Sequence, residues 1–338
     1  MVKQSKPTAK KSPAEVLLVE DVRKSYGARP ALRSLSFSLK AGRVMGFLGP
    51  NGAGKTTAIR ILTTILEPDS GCFFVDGISS EHPEKIRQKI GVLPESLGFP
   101  KQMTGHEFLT HFGELYGQSR NEAKACAMEL LDEVGLHQRG NSLIATYSRG
   151  MRQRLGIARA LINDPIVVFL DEPTLGLDPH GQQELLILVR RVAEERKAGV
   201  VLCSHFLPEI EGICNDVVIL NAGQVVAAGS VAEVIGRVQR HMILNHCFRI
   251  QILPQYIGEA QSVLKKLPEI VEATPQGEVE GWLRIELLGT SQEDLPPVQI
   301  NNRVLRALLH AKIPIINFET QGGRLQDVFL RLTEETIE

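Results

Sequence analysis

No apolar run in this 338-residue chain approaches the ~18 residues that a membrane-spanning helix needs. If the protein serves a membrane, the spanning part is another chain. The N-terminal stretch from Met1 to Ser12 carries Lys3, Lys6, Lys10 and Lys11 but no apolar core, so it is not a secretory signal. Residues 1–14 read instead as a solvated, disordered basic tail. Charge of one sign is lacking as well. Lys and Arg (38) balance Asp and Glu (39) to a net charge of −1, which gives no electrostatic footprint for nucleic acid or an anionic membrane. Cysteine is sparse: Cys72, Cys126, Cys203, Cys214 and Cys247 are odd in number, far apart and free of any CxxC pair. That pattern argues against a structural metal site and for free thiols in a reducing cytosol. No internal repeat is visible, and no low-complexity segment beyond the tail.

What is present is a chain long enough for about two domains. Its hydrophobic content of 43% is sufficient for a sizeable core. From Val16 to about Gly236, short β-branched runs alternate with helical patterns. Arg43 to Leu48, Ile166 to Leu170, Val200 to Cys203 and Val217 to Leu220 are continuous apolar runs that suit strands buried on both faces of a sheet. With helices between them, the fold class is α/β. Between about residues 98 and 147 the strand signals stop. Glu107 to Tyr116 and Asn121 to Val134 read as amphipathic helices with Gly117 and Gly135 near their ends, a helical insertion in the α/β body. After Arg237 the pattern restarts. Strands are expected at 248–253, 270–274, 282–288 and 315–319, and helices at 257–267, 302–311 and 325–336. The order β-α-β-β-α-β plus a helix suits a small α+β domain of the ferredoxin-like type over residues 237–338.

The chemistry is carried by a few short stretches. Gly49, Pro50, Asn51, Gly52, Ala53, Gly54, Lys55 and Thr56 complete the pattern G-x-x-x-x-G-K-[ST]. They follow a predicted strand, and Thr57 continues into a helical run to Leu62, the context a phosphate loop requires. The glycines let backbone N–H groups wrap a phosphate, and the helix adds its positive end. Lys55 supplies charge to the β- and γ-phosphates, and Thr56 supplies a hydroxyl to Mg²⁺. The run Ile166 to Leu170 ends in Asp171 and Glu172. There Asp171 suits Mg²⁺ binding through water, and Glu172 suits the general base that polarises an attacking water. Ser148 and Gly150 sit at an expected helix start, where a hydroxyl and free N–H groups can hold a phosphate, 23 residues before Asp171.

In this order the stretches resemble those of ATP-binding-cassette (ABC) proteins, with Tyr147 to Met151 as the signature motif. The resemblance covers residues 15–236. It implies that Tyr26 stacks on adenine and that the loop Gly91 to Glu95 reaches the metal, with Glu95 as a ligand, and couples to a membrane partner. It implies further that Leu175 to Asp178 crosses between subunits, and that His205, after Ser204, contacts the γ-phosphate and assists hydrolysis. ATP and Mg²⁺ are the implied cofactors. Arg149 and Met151 stand where the commoner signature has a glycine and a glutamine, and Glu95 where the coupling loop commonly ends in glutamine. These departures, and a C-terminal domain ending near Leu325 to Phe329, resemble the ABC-2 type exporter branch that serves drug resistance, sodium extrusion and polysaccharide or lipid export. The accessory domain is expected to regulate or support a dimer.

With one phosphate loop and one signature per chain, the family's nucleotide sandwich implies a head-to-tail pair. A C₂ homodimer is the simplest form, with a heterodimer as the alternative. The expected function is therefore the ATPase subunit of an exporter. It would lie on the cytoplasmic face of the cell membrane through a separate permease. The competing reading is a soluble ABC ATPase with a non-transport partner. That reading favours two cassettes per chain, a long coiled coil or a basic face, and none is visible.

Overall fold

The computed structural model describes residues 15–96, 98–204, 206–242, 247–275, 281–287, 297–320 and 325–334. The basic tail expected at residues 1–14 and the histidine at 205 therefore lie outside the described residues. The chain divides into two compact units, one of Met1–Val231 with Leu332–Glu338 and one of Ala232–Arg331.

In the first unit the elements run β1 (Glu15–Tyr26), β2 (Arg29–Lys40), β3 (Val44–Leu48), α1 (Lys55–Leu62), β4 (Ser70–Val75), β5 (Ile78–Ser79), α2 (Pro83–Arg87) and β6 (Ile90–Leu93). Then follow α3 (Gly105–Leu115), α4 (Arg120–Glu133), α5 (Arg149–Leu161), β7 (Val167–Asp171), α6 (Pro179–Arg196), β8 (Gly199–Cys203), α7 (Leu207–Ile213), β9 (Asp216–Asn221) and β10 (Gln224–Ser230). The strands form one sheet in the order β5-β4-β1-β2-β10-β9-β3-β8-β7-β6. The stretch β9-β3-β8-β7-β6 is parallel throughout. Every residue of β3 and β8 is buried, as continuous apolar strands covered on both faces must be. The other end is an antiparallel wing in which β1 pairs with both β2 and β4. There the side chains alternate between core and solvent, the period-2 pattern of a sheet with unequal faces.

Parallel order puts the C-terminal ends of β3, β7 and β6 at one edge of the sheet, where ligands of open α/β sheets bind. Helix α5 packs on β6 so closely that a Cβ on Gly91 would lie 2.1 Å from the Ala160 carbonyl oxygen, so only glycine fits there. Between β6 and β7 the chain leaves the sheet for the helices α3 and α4. Each begins in a capping box, Thr104 with Glu107 and Ser119 with Glu122, in which each side chain satisfies the other residue's backbone N–H. These helices start at 105 and 120, slightly before the starts expected at 107 and 121. The end of α4 is tied to α6 by a two-point ion pair between Arg196 and Glu133, at 2.6 and 3.0 Å.

The second unit opens with α8 (Val231–Met242), whose first residue still belongs to the first unit. Then come β11 (Cys247–Ile252), α9 (Ile257–Leu264), β12 (Ile270–Pro275), β13 (Trp282–Leu287), α10 (Pro297–His310), β14 (Ile315–Thr320) and α11 (Leu325–Glu334). Its sheet is antiparallel in the order β12-β13-β11-β14, the arrangement of a ferredoxin-like β-α-β-β-α-β fold. Phe248, Ile250, Leu264, Ile285, Val304 and Leu308 form its core. Among the described residues, no helix is long and apolar enough to cross a membrane. Cys72, Cys126, Cys203 and Cys214 are free thiols.

Candidate nucleotide site

A cleft of about 480 Å³ opens at the C-terminal edge of the parallel strands. One wall is the loop between β3 and α1, supplying Asn51, Gly52, Ala53, Gly54, Lys55, Thr56 and Thr57. The loop's shape is fixed from below. Gly54 caps α1 at φ 104°, and a Cβ there would lie 2.5 Å from the Ala31 carbonyl oxygen. The position therefore demands glycine twice, by conformation and by space. The Gly223 N–H donates to the Ala53 carbonyl at 3.1 Å, bracing the loop against the β9–β10 turn. The ammonium of Lys55 donates to the carbonyls of Gly49 (2.5 Å) and Pro50 (3.2 Å), so it arches over the loop's mouth. The first N–H groups of α1 have no partner within the helix and lie at its positive end.

The opposite wall is acidic. It holds Asp171 at the end of β7, Glu172 beside it, and Glu95 from the loop after β6. Burial pushes the Asp171 carboxyl above its ordinary range, and the charges of Glu95 and Glu172 push it further; Lys55 and Arg60 oppose them. The backbone of Glu172 is left-handed at φ 48°, a conformation costly for glutamate. Its N–H donates to the Cys203 carbonyl of β8 at 3.0 Å. The Cys203 thiol is held well above its usual range by full burial and by the nearby Asp171 charge. Ala31 and Leu175 complete the lining. Tyr26 stands at the end of β1, 52% exposed, and is not among the lining residues.

Ser148, Gly150 and Asp178 lie elsewhere. They line a second cleft, of about 570 Å³, together with Arg149, Met151 and Gly176. Ser148 caps α5, accepting the Met151 N–H at 3.2 Å. Asp178 caps α6, accepting the Gly181 N–H at 2.7 Å. The Arg149 guanidinium lies against Gly176, whose Cβ, if present, would fall 2.4 Å from Arg149 Cζ. No phosphate-loop residue lines this second cleft. The loop Leu175 to Asp178 spans the two, with Leu175 in the first and its successors in the second.

Two contributors carry no motif of their own in the sequence. Ala31 lines the first cleft from β2. Arg159 of α5 donates to the Val92 carbonyl of β6 at 2.7 Å and lies over the Phe112 ring of α3 at 5.4 Å. It thereby joins the signature helix, the strand before Glu95 and the helical insertion. A half-buried cation on one face of a helix is legible in sequence only as one more arginine.

A glycine-rich strand-to-helix loop with its lysine, facing a strand-end acid across one intervening strand, defines a P-loop nucleoside triphosphatase. Residues 32–175 match the ABC transporter family. The linearmycin resistance ATP-binding protein of Bacillus subtilis (strain 168) is 32% identical over 95% of this chain and 99% of its own length. Nod factor export ATP-binding protein I of Ralstonia nicotianae is 33% identical over 94% of both chains. A dimeric ATP-binding cassette, solved in a post-hydrolysis state with ADP and Pi, is 25% identical and superposes with a TM-score of 0.57, covering 63% of this chain and 98% of its own. The chain belongs to the ABC transporter family of ATP-binding, ATP-hydrolysing proteins.

Proposed function

We propose that this chain is the ATPase subunit of an ABC-2 type exporter, with residues 15–236 as its motor and 237–338 as an accessory domain. The ATP phosphates lie in the first cleft, cradled by Gly49 to Thr57 with Lys55 turned from its own carbonyls onto the β- and γ-phosphates. Tyr26 packs on the adenine. Glu172 accepts a proton from the attacking water, and His205 assists at the γ-phosphate. Electrostatic positioning of this kind is most of what phosphoryl transfer asks of a protein.

The residues present fit a magnesium ion. Burial, and after it the charges of Glu95 and Glu172, raise the Asp171 carboxyl, and a cation offsets both. Among the described residues, no three His, Cys, Asp or Glu side chains form a metal cage. Mg²⁺ needs none, because it keeps waters and takes one or two carboxylates plus substrate phosphates. Thr56, Asp171 and Glu95 would hold it, and bound there it supplies neutralisation of charge on the phosphates.

The observation that carries the reading is that Ser148 and Gly150 line a different cleft from the phosphate loop within one chain. Each cleft is half a site. A second copy, related by a two-fold axis, brings the signature of one to the phosphate loop of the other, twice. Asp178 lies on the loop that crosses between them. ATP binds the closed pair better than the open one, and hydrolysis releases it, driving a two-state equilibrium in a membrane-spanning permease on a separate chain. The relatives named for linearmycin resistance and Nod factor export support an exporter. On this reading the chain works at the cytoplasmic face of the membrane, reached through its permease.

The test is sedimentation of Glu172→Gln protein. It is expected to be largely monomeric without nucleotide and dimeric with Mg-ATP at tens of micromolar, roughly the range of weak association. A variant that binds ATP yet stays monomeric contradicts the proposal.

A further inference from the structure

We infer that Glu209 is a positioning residue for hydrolysis, acting through Ser204 on the backbone that holds Glu172. The inference rests on Glu172 being the general base. Glu209, in the first turn of α7, is 4% exposed, and Ser204, just past β8, is 1% exposed. Polar groups so buried need partners, and these two provide them for each other. The Ser204 hydroxyl donates to Glu209 Oε2 at 2.8 Å and accepts the Phe206 N–H at 3.1 Å. One hydroxyl therefore ties helix α7 to both chain neighbours of position 205.

One residue earlier, the Cys203 carbonyl takes the Glu172 N–H at 3.0 Å. Asp171 and Cys203 are also paired in register between β7 and β8. Glu172 stays at φ 48° only where its surroundings over-determine that conformation. The Cys203 carbonyl is one such restraint, and the Ser204–Glu209 bond fixes the strand end that presents it. Neither Ser204 nor Glu209 lines the nucleotide cleft, so their influence reaches it through the backbone.

The experiment uses the full chain as Ser204→Ala, Glu209→Ala, Glu209→Gln and the Ser204→Ala/Glu209→Ala double variant, with Glu172→Gln alongside. Phosphate release is followed across Mg-ATP concentration, and ATP binding is measured separately. Ser204→Ala and Glu209→Ala are expected to lower kcat by about ten- to thirtyfold with KM within about twofold, the signature of a lost transition-state restraint. Glu209→Gln keeps an acceptor oxygen and is expected within about threefold of wild type. The double variant is expected within about twofold of the worse single variant, because both remove the same bond. Wild-type kcat in both alanine variants overturns the inference. So does a Glu209→Gln loss as deep as Glu209→Ala, or a loss of ATP binding that matches the loss of kcat. If Glu172→Gln hydrolyses ATP normally, the assignment of the base fails and the inference falls with it. If Glu172→Gln is inactive while both alanine variants turn over like wild type, the inference alone fails.

Discussion

The ammonium of Lys55 lies 2.5 Å from the carbonyl oxygen of Gly49, at the start of its own loop. That contact keeps a half-buried cation partnered, and on the proposed reading it is exchanged for phosphate oxygens when ATP binds. Charge-assisted bonds to phosphate are stronger than bonds to a neutral carbonyl, so the exchange favours the nucleotide. Lys55→Ala leaves only backbone donors. Its affinity for ATP is expected to fall by about a hundredfold, roughly 2.7 kcal/mol, as read by nucleotide titration. Wild-type affinity in the variant would remove the loop from the site.

Asp171 makes a pH-dependent prediction whose sign follows from its environment. Burial, then Glu95 and Glu172, raise its carboxyl above the ordinary value of 3.8. A carboxyl raised on folding costs stability wherever it is ionised, and that cost disappears as falling pH protonates the folded form. Without nucleotide, Asp171→Asn is expected to melt above wild type at pH 8, on the order of a degree or two for a half-buried, partly screened group. The gap is expected to narrow only in acid, as pH falls through the raised folded value towards the ordinary 3.8. Mg-ATP is expected to reverse the order, since it stabilises wild type more. Melting curves over pH, with and without Mg-ATP, check both halves.

The proposed head-to-tail pair predicts complementation. Lys55→Ala spoils the phosphate loop and leaves the signature, whereas Ser148→Glu does the opposite. Each variant alone is expected to be inactive. A mixture forms hybrid pairs carrying one intact composite site, so ATPase activity is expected to return to roughly a quarter of wild type by statistical pairing. Phosphate release from the mixture measures it, and a mixture as inactive as its parts contradicts the head-to-tail pair.

The parts of the molecule legible in the sequence are those where the chemistry is local. Gly54 and Lys55 announce the phosphate loop because each is demanded by the turn or the charge at its own position. The all-apolar β3 and β8 announce a sheet buried on both faces. Register with distant partners is not local. The antiparallel wing of β1, β2 and β4 alternates core and solvent residues, but nothing local says that β1 pairs on both sides. The helix starts are local: Thr104 with Glu107 and Ser119 with Glu122 are capping boxes in plain sequence, and they set the starts at 105 and 120. Arg159 is not legible, because its bond to Val92, 67 residues away, forms only when α5 packs on β6; Glu209 bonds Ser204 only five residues away, but no local pattern marks that pair as buried.

Glu172, rather than Glu95 in the same cleft, is the proposed general base. Glu172 is held by the Cys203 carbonyl beside the strand-end Asp171, whereas Glu95 sits on a loop beyond Pro94. The direct measurement is steady-state phosphate release at saturating Mg-ATP for Glu172→Gln and Glu95→Gln side by side. Glu172→Gln is expected to lose about a hundredfold or more, and Glu95→Gln, which keeps an oxygen ligand, to stay within roughly tenfold, about 1.4 kcal/mol of barrier. An inactive Glu95→Gln beside an active Glu172→Gln would contradict Glu172 as the base.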